Sequence, residues 1–218
     1  MKINQFWLRL TGIFGILGGL ILFVGDMLFY YDTNSTDFIQ NMGNASNFRI
    51  KMSGLTALFA SWFYLIGLVQ VYFAFKISKT SIRNIVLICF AAIFTSYGVI
   101  HAAYVAIATS AKLAMQNNLN IENSITLASE TNDLLRLFVY PFFAILSVLF
   151  FTQVLKNKTL YPKWMVFFFP LIPFLLQGFV SKLVTGNLRV IVLGGYLNLM
   201  LVLFFTASTI ALWNKKEK

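Results

Sequence analysis

Six stretches of this chain are each apolar for longer than a soluble core needs, and that decides its class before any motif is read. The first, Leu10 to Tyr31, holds only apolar residues and glycine apart from Thr11 and Asp26. At 1.5 Å of rise per residue, about 20 such positions cross the ~30 Å of hydrocarbon in a bilayer. The expectation is an all-α membrane protein: a six-helix transmembrane bundle forming a single domain over residues 1–218. Its helices are expected near 6–31, 53–75, 84–108, 134–155, 164–182 and 190–213. The intervening stretches at 32–51 and 110–133 are rich in Asn, Ser, Thr and acids, and read as loops, with Phe38, Ile39 and Met42 forming at most one short surface turn.

Composition agrees. The chain is 59% hydrophobic and 11% charged, with 24 Phe, whereas a soluble domain carries about a quarter charged residues. A net charge of +10 raises the question of nucleic acid. No basic stripe with interleaved aromatics occurs, and the cations follow the pattern that holds loops on the cytoplasmic side. With the N-terminus inside, eleven cations are cytoplasmic: Lys2, Arg9, Lys76, Lys79, Arg83, Lys156, Lys158, Lys163, Lys215, Lys216 and Lys218. Six are outside: Arg49, Lys51, Lys112, Arg136, Lys182 and Arg189. Both termini are therefore expected in the cytoplasm. The first helix is too long for the apolar part of a cleaved signal and reads as an uncleaved span. A lone Cys89 gives no internal disulfide, and a lone His101 without a cysteine cluster gives no classical zinc site. No metal and no cofactor are expected. Phosphate-binding loops, metalloprotease pairs and nucleophile elbows are all absent from the sequence, so no catalytic residue is assigned.

Polar residues cost free energy at membrane depth, so their positions carry the functional question. They gather toward the outer ends of the helices. Asp26 lies ~8 Å before the end of its helix, His101 ~12 Å inside the third. Asp26 shares a helix face with Tyr30; Tyr97, His101 and Tyr104 form a stripe on the third helix; Asp133, Arg136 and Tyr140 form one on the fourth; Gln177 and Lys182 close the fifth. The candidate ligand-binding set is Asp26, Tyr30, His101, Tyr104, Arg136, Tyr140 and Gln177, converging on one outward-facing pocket. Asp26 is expected to pair with a cation, Arg136 first, then Lys182 or Arg189. Gly12, Gly15 and Gly19 recur at close to helical spacing and are expected to pack against another helix.

The run Gly25-Asp26-Met27-Leu28-Phe29-Tyr30-Tyr31, ending a glycine-rich first helix, resembles an uncharacterised family of small bacterial polytopic membrane proteins, a domain of unknown function. The resemblance implies a bacterial inner-membrane protein of about six helices and carries no activity. The functional expectation is non-enzymatic binding of an amphipathic or anionic, lipid-like molecule, with the bilayer as the other partner. A small-solute transporter and a lipid-modifying enzyme using Asp26 and His101 are the alternatives.

Overall fold

The computed structural model describes residues 4–215, so Lys2, Lys216 and Lys218 of the charge count lie outside the described residues. All regular structure among the described residues is helical. It comprises α1 (Gln5–Tyr30), α2 (Phe38–Asn44), α3 (Asn47–Ala74), α4 (Thr80–Gln116), α5 (Ile121–Leu137), α6 (Tyr140–Leu155), a 3-10 turn (Lys163–Phe168), α7 (Leu171–Leu183), α8 (Gly186–Gly194) and α9 (Tyr196–Leu212). Four stretches are long and apolar enough to cross a membrane: Gln5–Tyr30, Asn47–Ala74, Thr80–Gln116 and Ile121–Leu155. A fifth arises if α8 and α9, bent by 62° at Gly195, count as one.

The polar segments differ from expectation: both are largely helical. The Asn, Asp and Ser that made them look like loops act as N-caps, which satisfy free backbone N–H groups at a helix start. The Asp37 side chain accepts from the Gln40 N–H at 2.9 Å, Ser46 Oγ from Arg49 at 3.2 Å, and the Asn120 side chain from Asn123 at 2.9 Å. As a result α3 begins near 47 rather than 53, and α4 runs to 116 rather than 108. The stretch expected to span at 164–182 is broken. Proline disfavours a helical conformation in the residue before it, and Phe169, just before Pro170, is extended (ψ 136°). That leaves a 3-10 turn and then a helix of 13 residues, about 20 Å long at 1.5 Å per residue.

Three helices form the centre. α1 packs antiparallel to both α3 and α9, and α3 is antiparallel to α4. The α1–α3 contact is close because both sides lack a side chain. A Cβ built on Gly67 would fall 2.9 Å from the Gly15 Cα. One placed on Gly12 would overlap Gln70 and Thr209, and one on Gly15 would overlap the Phe205 ring. On Gly19 it would meet Val202 Cγ2 at 2.5 Å. The middle of the bundle is filled by aromatic rings. Tyr64 stacks on Phe94 with centroids 4.8 Å apart, and Phe150 on Phe169 at 4.4 Å. At the far end of α1, Arg49 lays its guanidinium on the last carbonyls, donating to Leu28 O (2.9 Å), Met27 O (3.2 Å) and Tyr31 O (2.6 Å). A cation there satisfies orphan acceptors and complements the helix dipole. Asn41 ties α2 to the same place by donating to Tyr30 O at 2.8 Å. The chain is thus anchored where the polar residues gather.

Candidate functional site

The site sits at the end of the bundle that carries α2 and α5. Helical spacing on α4 brings Tyr97, Ile100, His101 and Tyr104 to one wall, and α1 adds Leu22, Asp26 and Tyr30. Arg136 comes from the last turn of α5. The chain then breaks at Phe138–Val139, because Pro141 has no N–H to continue the ladder. Tyr140 and Phe143 of α6 therefore follow on the same side as Arg136. α7 contributes Phe174 and Gln177, the α8–α9 bend Leu193, Gly194, Tyr196, Asn198 and Met200, and α2 covers the end with Phe38, Ile39 and Met42. Together they enclose a cavity of about 550 Å³. It is not sealed from the surface: two of its lining residues, Tyr140 and Phe174, are 51% and 37% exposed. Below it the aromatic packing leaves a void of only about 10 Å³, at the lower limit for a single water.

All seven residues of the candidate set line this cavity. The expected pairing inside it is corrected. Asp26 does not meet Arg136; its Oδ1 is 3.3 Å from His101 Nδ1, and its Oδ2 accepts from Asn198 Nδ2 at 2.6 Å. Arg136 instead donates to the Tyr104 hydroxyl and holds its guanidinium 5.3 Å from that ring's centroid. Lys182, Arg189 and Asp133 are not part of the lining. The physical reason is position: His101 reaches Asp26 from α4 past the start of α3, whereas Arg136, on α5 packed against α4, is taken up by the Tyr104 hydroxyl.

The Asp26–His101 pair extends into the wall. Ser53 Oγ lies 3.0 Å from His101 Nε2 and donates to Gly25 O at 2.7 Å. Gly25 makes this possible, for a Cβ there would overlap Thr56 and come within 2.9 Å of His101 Nε2. On the other side, Asn198 Oδ1 accepts from the Tyr64 hydroxyl at 3.3 Å. Ser53, His101 and Asp26 thus stand in the order of a hydrolytic triad. Ser53 is fully buried, its hydroxyl proton is committed to Gly25 O, and it does not line the cavity. It is a structural link and offers no nucleophile.

What remains available to a ligand is one cation beside groups that can donate or accept. Asp26 is engaged by His101 and Asn198. The Tyr97 and Tyr140 hydroxyls, the Gln177 amide and the rest of the Arg136 guanidinium face the cavity, with no protein hydrogen bond among the described residues. Ser53 and Asn198 escaped the sequence reading. Ser53 was expected to open the second helix, with no partner assigned. Asn198 had a signal, being the single amide in the apolar run Tyr196–Leu212.

The chain belongs to a family whose function is not known: a family model described as "Family of unknown function (DUF6796)" matches residues 1–215. No curated protein and no solved structure matches it.

Proposed function

We propose that this member of the DUF6796 family is a bacterial inner-membrane protein that binds an anionic amphiphile in the 550 Å³ cavity, without chemistry on it. The carrying observation is the imbalance of charge: Arg136 keeps N–H donors beyond its bond to Tyr104, with Tyr97, Tyr140 and Gln177 able to donate beside it, while the cavity's one acid is already held by protein partners. Such a site receives a negatively charged, oxygen-rich headgroup. The apolar lining of Phe143, Phe174, Leu22 and Met200 receives a chain, and the volume falls in the range of small-molecule pockets. The exposure of Tyr140 and Phe174 supports entry from the bilayer.

In this reading the chain crosses six times, with the 3-10 turn and α7 as the fifth crossing and α8–α9 as the sixth. Both termini are cytoplasmic and the cavity faces outward. Supporting it, the two basic loops lie together at the end away from the cavity. Leu160 N donates to Ala74 O at 2.8 Å, and Ser78 Oγ to Lys158 O at 2.5 Å. The closeness of Asp26 and His101 also supports a second reading, an acid–base pair acting on a lipid, which would require turnover of added lipid.

The test is native mass spectrometry of the chain with phosphatidylglycerol added to detergent micelles. One lipid should be retained by the unaltered chain. The fraction bound should fall by about tenfold on Arg136→Ala, the equivalent of ~1.4 kcal/mol, and should not change on Lys182→Ala. Equal retention by both variants would refute the site.

A further inference from the structure

The hydrogen bonds around His101 fix more than its position. The Ser53 hydroxyl has one proton and gives it to Gly25 O, because a carbonyl oxygen has none to give. The 3.0 Å contact between Ser53 Oγ and His101 Nε2 then needs a proton from the ring. The 3.3 Å contact between Nδ1 and Asp26 Oδ1 needs another. With neither, a ring lone pair would face a carboxylate oxygen in a buried wall. We infer that the Asp26–His101 pair is a proton-binding site: beyond the ring's own proton on Nε2, it holds a second one shared between Nδ1 and the carboxylate. In that state the pair is neutral overall.

The groups facing the pair decide what this does. They are Tyr30 from α1, Tyr64 from α3 through Asn198, Tyr97 and Tyr104 from α4, Arg136 from α5, Tyr140 from α6 and Tyr196 from α9. α2 contributes only Phe38, Ile39 and Met42, and α7 only Phe174 and Gln177. Among the residues lining the cavity Arg136 is the one charged side chain besides the pair, with Asp133 of the same helix outside the lining. While the pair keeps its proton the cavity is net positive. When the proton leaves, the pair becomes net negative and cancels Arg136. The sign follows: an anion binds best below the pH at which the pair titrates and is released as pH rises through it. This consequence rests on the anion-binding reading, while the proton site itself does not.

His101 is the sole histidine in the chain, which makes the test specific. The full chain is labelled with ¹⁵N-histidine, placed in lipid nanodiscs without added ligand, and its two ring nitrogens are observed by solid-state NMR. Infrared spectroscopy is run in parallel for a protonated carboxylic acid that disappears in Asp26→Asn. Two results support the inference: both nitrogens protonated, or Nε2 protonated together with that carboxylic acid band. Two results overturn it: a proton on Nδ1 with Nε2 bare, or a proton on Nε2 alone with no carboxylic acid even at the lowest pH at which the chain stays folded. Ser53→Ala removes the acceptor that holds the Nε2 proton. It should shift the ring toward the Nδ1-protonated form, and an unchanged spectrum there would also count against the argument. Because the spectra are taken without ligand, failure of anion binding leaves them unaffected. A sound spectrum with pH-independent phosphatidylglycerol binding would separate the two claims.

Discussion

The α1–α3 crossing gives a perturbation whose size follows from the coordinates. Gly67→Ala adds one methyl at a point where its carbon would lie 2.9 Å from the Gly15 Cα and 2.8 Å from Phe205 Cε1. Non-bonded carbons rest at about 3.5–4.0 Å, so something must retreat by roughly 0.6–1 Å. The Gly15 Cα is backbone, and α1 is held at both ends, by Arg9 on Trp213 O and by Arg49 on its last carbonyls. Phe205 is fully buried, stacked on Tyr64 and tilted against Phe94. Neither neighbour can yield freely. Overpacking of this kind costs about 1–3 kcal/mol, but alanine also favours a helix over glycine by ~1 kcal/mol, which would mask part of it. Gly178→Ala removes the ambiguity: it is also helical, and a Cβ there meets nothing within 4 Å. The difference between the two variants cancels the propensity gain and leaves the packing cost. At roughly 2–4 °C per kcal/mol for a chain of this size, Gly67→Ala should melt about 2–12 °C below Gly178→Ala. Melting followed by fluorescence-detected size exclusion in one detergent reads this directly. Equal melting temperatures would refute the claim that this crossing is close because of its glycines.

Two further outcomes follow from the same geometry. Asn198→Ala strips Asp26 of its 2.6 Å donor and Tyr64 of its acceptor; it should lower stability by about 1–3 kcal/mol, with Asn198→Asp no better, since it sets a second carboxylate against the first, and thermal melting checks both. Cysteines at Asn44 and Asn120 should react with an impermeant maleimide from outside intact cells while one at Lys79 should not, and labelling at position 79 alone would invert the proposed orientation.

How much was readable in advance depended on whether a feature is local. The apolar runs and the i, i+4, i+7 stripe of Tyr97, His101 and Tyr104 are local, and helical periodicity alone puts that stripe on one wall. The depth of Asp26 and the small-residue spacing of α1 are local too. Partner choice is not. Asp26 could reach any cation by charge alone, and only the antiparallel register of α1 and α9 brings Asn198 beside it, 172 residues away in sequence. The polar segments misled for a definable reason: Asp, Ser and Asn mark both loops and helix starts. Position decides between them, as with Ser46 and Asn120, each followed by a helix whose third N–H it caps. The broken stretch after Lys163 was partly visible in Pro170 and Pro173. What the sequence did not state is that Phe169 would turn extended and fill the core, fully buried, rather than continue a span.

The far half of the bundle bears on the transporter alternative. It is not purely apolar: Gln70 and Ser208 are fully buried there, with Ser208 Oγ donating to Gln70 Oε1 at 2.6 Å and sharing a 2.7 Å contact with the Tyr161 hydroxyl. Gln70 Nε2 donates to Leu8 O and Thr209 Oγ1, each at 3.3 Å. Burial pushes the Tyr161 hydroxyl up, so it stays a neutral donor or acceptor. A solute passing between the cavity and this second cluster would have to cross the level of Tyr64, Phe94 and Phe205, where the Gly15 and Gly67 backbones also meet. That level contains the close glycine contact of α1 and α3 and fully buried rings packed on one another. Opening it would separate α1 from α3 and leave the Gln70 amide without the partners it takes from α1 and α9. A buried amide so stripped costs about 1–3 kcal/mol, added to the lost ring packing. The cavity at the other end needs no such rearrangement to be occupied, and that difference in cost favours the proposed one-sided binding over transport.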